Sequence, residues 1–269
     1  MKEINLSIPY IQENIDDVYK EKVLEARLQN TLKVLDDKGI SIKVKNFSER
    51  FEIDEDLVWR KLNDDTAFAL SFAKDPLKQS IHQKIAFDFI NELPFVYDLY
   101  NPPAGGDNAL YCINGKVIKG SDLKDHEVKS IDFTWNYHYK DKTLKFYATH
   151  KHTSEDGGAQ DNQFNDVKEF NSNAMVCDDN NIYFFSITDG AYYSRKYVKD
   201  KDFEGSRLEY YNYKFKGKRN KATKTNDLLQ DMIPVIIEWL EMNFDSDEII
   251  EEKAKLEHVM KSVIIHKKD

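Results

Sequence analysis

The sequence predicts an α/β fold of the α+β kind, a mixed β-sheet core flanked by helices, with helical additions at both ends. Three observations predict the sheet and its helices. Two runs with alternating apolar residues, "KSIDFTWNYHY" and "TLKFYATHK", adjoin the turn "KDKT" and read as antiparallel strands. A polar helical stretch follows at 159–174, and then "NIYFFSITDG", an apolar strand ended by Asp-Gly. Helical periodicity dominates on either side, so the order is helix, strands, helix, strand.

Taken in order, residues 10–37 read as one amphipathic helix, with Ile11, Ile15, Val18, Val23, Leu24, Leu28, Leu32 and Leu35 near helical spacing. "ISIKVK" then reads as extended, and "NFSERF" and "DEDLVWRKLN" as short helices, the second capped by Asp54 or Asp56. A helix over 75–93 places Ile81, Ile85, Phe89 and Leu93 on one stripe, with Pro76 in its first turn. "ALYCI" and "KVI" form a hairpin about "NG". Near the carboxyl end, 214–224 holds six Lys or Arg in eleven residues and reads as a basic loop. A helix at 226–243 buries Leu228, Leu229, Met232, Ile236, Trp239 and Leu240, and a final helix covers 247–265. The expected organisation is a helical subdomain at 1–66, a core at 67–200, and a basic loop with carboxyl-terminal helices at 201–269.

Length and composition describe a globular chain: 269 residues with 41% hydrophobic content are enough for a substantial core. A net charge of −9 argues against indiscriminate nucleic-acid binding but leaves room for a local basic groove. Cys112 and Cys177 make neither a metal-ligand spacing nor a disulfide framework, which suits a reducing cytoplasm. The amino end shows no basic region followed by an apolar run, and no stretch reaches membrane-spanning length, so no membrane partner is expected.

The chemistry concentrates at Asp132 and Lys151. Antiparallel pairing of their strands brings a carboxylate and an ammonium to one sheet edge. Phosphodiester hydrolysis uses that pair: the carboxylate holds Mg²⁺, and the lysine orients water or offsets charge. A helix opened by Gly157-Gly158 can aim backbone N–H groups at a phosphate. A solvated cross-strand ion pair is the plainer reading of the same two residues.

The run "SIDFTW…KFYATHKHTSEDGGAQDNQFNDVKEF…IYFFSITDGAYYSRK", preceded by "FAKDPLKQSIHQKIA", resembles the core of type II restriction endonucleases of the PD-(D/E)XK nuclease superfamily, over residues 68–197. The resemblance implies a restriction-endonuclease-like mixed β-sheet core in which Asp132 is the first acidic position and Lys151 the motif lysine. The second acidic position is Thr149, a departure that removes a charge, and Gln83 stands where many relatives carry a glutamate. It also implies the His150 backbone carbonyl as a metal ligand, with Glu155 or Asp156 as substitutes for the missing acid. Strand alternation points the His150 side chain to the opposite face from Thr149 and Lys151.

Beside such a site, Gln160, Asn162 and Gln163 can pair with adenine edges or grip phosphates, or simply begin a polar helix. Tyr192, Tyr193, Arg195 and Lys196 can stack or contact phosphates, or close the sheet; Lys218, Arg219 and Lys221 suit backbone binding. The leading expectation is a Mg²⁺-dependent endonuclease acting on double-stranded DNA as a homodimer, each copy cutting one strand. The competing one, from Thr149 and Gln83, is a DNA-binding subunit of a restriction system without its own chemistry.

Overall fold

The computed structural model describes residues 9–75, 80–123, 128–154 and 158–266. Contacts divide the chain into two compact units, one of Met1–Asp16 with Ala86–Asp269, and one of Asp17–Ile85. These boundaries differ from the 66/67 and 200/201 divisions expected from sequence.

The first elements are β1 (Ile11–Glu13), α1 (Ile15–Leu32), α2 (Ile40–Phe51), α3 (Glu55–Asp64), α4 (Thr66–Leu70) and α5 (Ile81–Glu92). The single helix expected over 10–37 is thus a strand, a helix and a 3₁₀ turn at Val34–Asp36. Its buried side is Ile15, Tyr19, Val23 and Val34, whereas Leu24, Leu28, Leu32 and Leu35 are exposed. The extended "ISIKVK" is corrected to helix. Ile40 and Val44, four apart, are buried while Ile42 is 67% exposed, so the helical period prevails over the twofold alternation. Asp54 caps α3 by accepting from the Leu57 N–H at 3.1 Å. Within Asp17–Ile85, Val34, Ile40, Val44, Val58, Leu62 and Phe72 form the core, joined by the rings of Phe47 and Phe68.

The other unit is built on a five-stranded sheet. Its strands are β2 (Tyr97–Tyr100), then, after the separate hairpin β3 (Leu110–Ile113) and β4 (Lys116–Lys119), β5 (Phe133–Tyr139), β6 (Lys142–His152), β7 (Ile182–Asp189) and β8 (Asn220–Thr223). The order is β2-β5-β6-β7-β8. β5 is antiparallel to β2 and β6, while β6, β7 and β8 run parallel, so the sheet is mixed. α6 (Gly158–Ala174) makes the crossover from β6 to β7. Asn114 and Gly115, both at positive φ, turn the β3–β4 hairpin as "NG" predicts. The stretch 214–224 is only partly loop: its second half is β8, the sheet's edge strand.

Alternation along the strands builds two cores. On one face Trp135 stacks on Phe146 and Phe185, and its indole N–H donates to the Met232 sulfur at 3.3 Å. Met232 belongs to α9 (Leu228–Asn243), which follows α7 (Ala191–Ser194) and α8 (Arg207–Lys214) in the chain. Every expected burial on α9 is found, from Leu228 to Leu240. On the other face Phe170 and Ala174 of α6 pack with Phe184, Ile131, Cys112 and Cys177. The final helix is α10 (Ser246–Ser262), shorter than expected, because Ile264–His266 forms β9 and pairs in parallel with β1.

Gly190, directly after β7, has φ +90, and a Cβ there would lie 2.3 Å from the Thr153 carbonyl oxygen. That oxygen accepts from the Tyr192 N–H, so it is not able to retreat without losing a bond. Gly190→Ala is expected to cost about 2 kcal/mol, a fall of roughly 5 °C in Tm by differential scanning calorimetry. An unchanged Tm would show that the turn relaxes without strain.

Candidate functional site

The site grows from the last four residues of β6. Register pairs Phe133 with Ala148, and the Asp132 N–H donates to the Ala148 carbonyl at 2.8 Å, which sets Asp132 opposite Thr149. One carboxylate oxygen of Asp132 accepts twice, from the Thr149 hydroxyl at 3.0 Å and from the His150 N–H at 2.7 Å. Two donors on one oxygen fix the carboxylate's orientation. Asn101 adds a bond to the Asp132 carbonyl at 2.6 Å.

The His150 ring goes to the opposite face, as strand alternation requires, and is buried. Its Nε2 lies 3.1 Å from Asp189 Oδ2, at the end of β7. Asp189 also accepts from the Thr225 N–H at 2.9 Å and the Thr225 hydroxyl at 2.6 Å. Burial pushes the Asp189 carboxyl upward in pKa, but the His150 and Thr225 bonds outweigh it and hold the group down at about 2. Neither Asp189 nor Thr225 was singled out by sequence. The only signal was an acid ending an apolar strand, which reads equally as a turn.

Lys151 returns to the face of Thr149. Its ammonium lies 3.7 Å from Asp166 Oδ2 on α6, and Lys129 lies 3.6 Å from the same oxygen. Asp132, Thr149, Lys151, Asp166 and Lys129 therefore share the α6 side of the sheet's end. Ser186 and Thr188 pair in register with Thr149 and Lys151 and are fully buried. Their hydroxyls have no hydrogen-bond partner among the described residues. Asp166 and Lys129 escaped the sequence reading because their approach to Lys151 depends on helix packing.

The remaining expected residues are distributed unevenly. Gln83 is half-buried on α5, in the unit Asp17–Ile85 rather than the one carrying Asp132. Glu155 and Asp156 lie outside the described residues, as does the Gln160 side chain. Asn162 is exposed, and Gln163 accepts from the Thr153 hydroxyl. Tyr192 and Tyr193 are buried with Phe164, Tyr197, Tyr210 and Tyr211, so their rings pack in a core. Arg195 and Lys196 are exposed; the Arg195 guanidinium reaches the Ser154 carbonyl at 3.4 Å, and Lys196 lies 3.8 Å from Glu204. Of the basic run, Lys218 is exposed. Arg219 is only 4% exposed, donates to Asn180 at 2.7 Å and sits 3.6 Å from Glu238. Lys221 donates to Asp231 at 2.6 Å. Arg219 thus serves the fold, because a buried guanidinium needs these partners.

Mg²⁺ in phosphate chemistry is commonly held by one or two carboxylates, with water and substrate phosphate completing its octahedron. Of the ligands the resemblance implies, the described ones are the Asp132 carboxylate and the His150 carbonyl, which a strand directs to the same side as its N–H. Among the described residues, no three His, Cys, Asp or Glu side chains gather as a metal cage. A carboxylate and a carbonyl are the oxygen types a hydrated Mg²⁺ accepts; they do not make an all-protein cage. No family model, curated protein or solved structure matches the chain. No helix among the described residues is long and apolar enough to cross a membrane.

Two outcomes test this geometry. Because the Asp189 carboxyl is lowered from 3.8 to about 2, its stabilisation is complete above its unfolded pKa and is lost as pH falls from about 4 to 2. Asp189→Asn should destabilise by about 3 kcal/mol at neutral pH and flatten that acid-side slope in urea titrations. Equal acid slopes in the two proteins would show that Asp189 does not carry it. In the basic run, Arg219→Ala should lower Tm by several degrees, about 2 kcal/mol, whereas Lys218→Ala should leave it within about 0.5 kcal/mol. Equal Tm changes would contradict the structural role of Arg219.

Proposed function

We propose that the chain is a type II site-specific deoxyribonuclease of the PD-(D/E)XK kind, hydrolysing phosphodiesters in double-stranded DNA with Mg²⁺. The observation that supports the reading is the Asp132 carboxylate, fixed by the Thr149 hydroxyl and His150 N–H, on the same sheet face as Lys151. A mixed sheet flanked by helices, with the crossover helix α6 leaving the site, accords with the resemblance.

Asp132 and the His150 carbonyl would hold Mg²⁺, which supplies Lewis-acid polarisation of the phosphate and a more acidic water. Lys151 offsets charge developing on the phosphate oxygens and orients the attacking water. The His150–Asp189–Thr225 bonds keep the β6 backbone in place beneath Asp132. A twofold pair of chains would present one such site to each DNA strand. One observation favours the second reading, a DNA-binding subunit without chemistry: Thr149 supplies no charge and only donates a hydrogen bond to Asp132.

Incubating the purified chain with mapped plasmid DNA and Mg²⁺ separates the two. Discrete fragments support the nuclease; retarded but intact DNA supports the binding subunit. Asp132→Asn, which keeps an acceptor for the His150 N–H, should abolish cleavage with little loss of Tm. Cutting at the parental rate would sink the assignment. Thr149→Glu places a second carboxylate beside Asp132, so it should lower Tm in EDTA and regain it in excess Mg²⁺. Identical melting in the two conditions would mean that no cation binds at position 149.

A further inference from the structure

The acid that position 149 lacks has a counterpart on α6, and we propose that Asp166 supplies the second acidic group of the site. The inference rests on the nuclease reading and deepens it. Thr149 is 2% exposed and gives its hydroxyl to Asp132, so the neutral residue helps position the first acid but adds no charge. The carboxylate that approaches the motif lysine comes instead from the crossover helix, at 3.7 Å from Lys151.

Asp166 is well suited to the task. It stands in the middle of a 17-residue helix, anchored by buried Phe164, Val167 and Phe170, so its position is set by the core. Its side chain retains 22% exposure, enough for access. Lys129 shares the same oxygen and is 57% exposed. Two acids and two lysines make the cluster formally neutral. A divalent cation could take the place of the more exposed Lys129 on Asp166, and the released ammonium would then be available to a phosphate.

A second observation points to an occupant beside these residues. Ser186 and Thr188, completely buried and next to Thr149 and Lys151 on the same face, lack hydrogen-bond partners among the described residues. Orphan hydroxyls of that kind are normally met by water or a ligand. A purely structural ion pair between Lys151 and Asp166 leaves them unexplained.

The test compares Asp166→Asn and Asp166→Glu with the parent and with Asp132→Asn. Binding of Mn²⁺ alone is followed by electron paramagnetic resonance, plasmid cleavage in Mg²⁺ by gel, and folding by Tm. Asp166→Asn should weaken Mn²⁺ binding about tenfold and cleavage about a hundredfold or more, with Asp166→Glu intermediate and both folded. If Asp166→Asn, or Asp166→Glu where the first does not fold, binds Mn²⁺ and cuts like the parent while Asp132→Asn does neither, the proposal is overturned and the nuclease reading stands. If Asp132→Asn also matches the parent in both measurements, the nuclease reading falls and this assignment with it.

Discussion

The 2.7 Å hydrogen bond from the His150 N–H to Asp132 is the contact on which the rest of the site depends. His150 sits where β6 outruns β5, so its N–H has no strand residue opposite and would otherwise be a buried orphan. Asp132 fills that vacancy with a carboxylate instead of a carbonyl, bringing a negative charge to the end of the ladder. Meanwhile the ring of the same residue is held from the other face by Asp189 and Thr225. One residue thus couples the acid on the α6 side to a buried polar cluster on the α9 side. Displacing the ring would disturb the N–H, and with it the orientation of Asp132.

Much of this architecture is legible in sequence because strands and helices impose distinct periods. "FTWNYHY" and "LKFYATHK" alternate large apolar side chains so regularly that the hairpin, its faces and the direction of the His150 ring all follow. α9 is equally plain, since its apolar residues keep helical spacing throughout. "ISIKVK" misleads because three apolar residues at every second position also contain a pair four apart, Ile40 and Val44. Only tertiary burial decides between the periods. α8 is marked in sequence by Ser206 and Glu209, three apart, which form a capping box.

The site was legible along the strand and opaque across it. Thr149, His150 and Lys151 could be assigned to faces by counting, but Asp166 meets Lys151 only because α6 folds back over the sheet. Arg219 shows the converse failure. It sits in a run whose composition suggests a solvated or DNA-facing surface, yet just before β8 it is buried against Asn180 and Glu238. Charge density along the chain says nothing about which cations the fold will consume internally.

That consumption bears on how DNA would be met. Lys221 is paired with Asp231, Lys199 with Asp161, Lys196 lies near Glu204, and Lys151 shares Asp166 with Lys129. With a net charge of −9, the chain as a whole repels a polyanion at long range. A duplex would therefore gain affinity at short range, by exchanging carboxylate partners of exposed lysines for phosphates rather than by meeting an open basic surface. Each exchange leaves an acid behind, and an acid close to a phosphate is tolerable where a divalent cation lies between them. Asp132 shares a sheet face with Lys151, and Asp166 lies 3.7 Å from that lysine; leaving acids behind there would cost most without such a cation. On the nuclease reading, the charge balance of the cluster would link DNA binding to cation binding, through the same residues that would carry the chemistry.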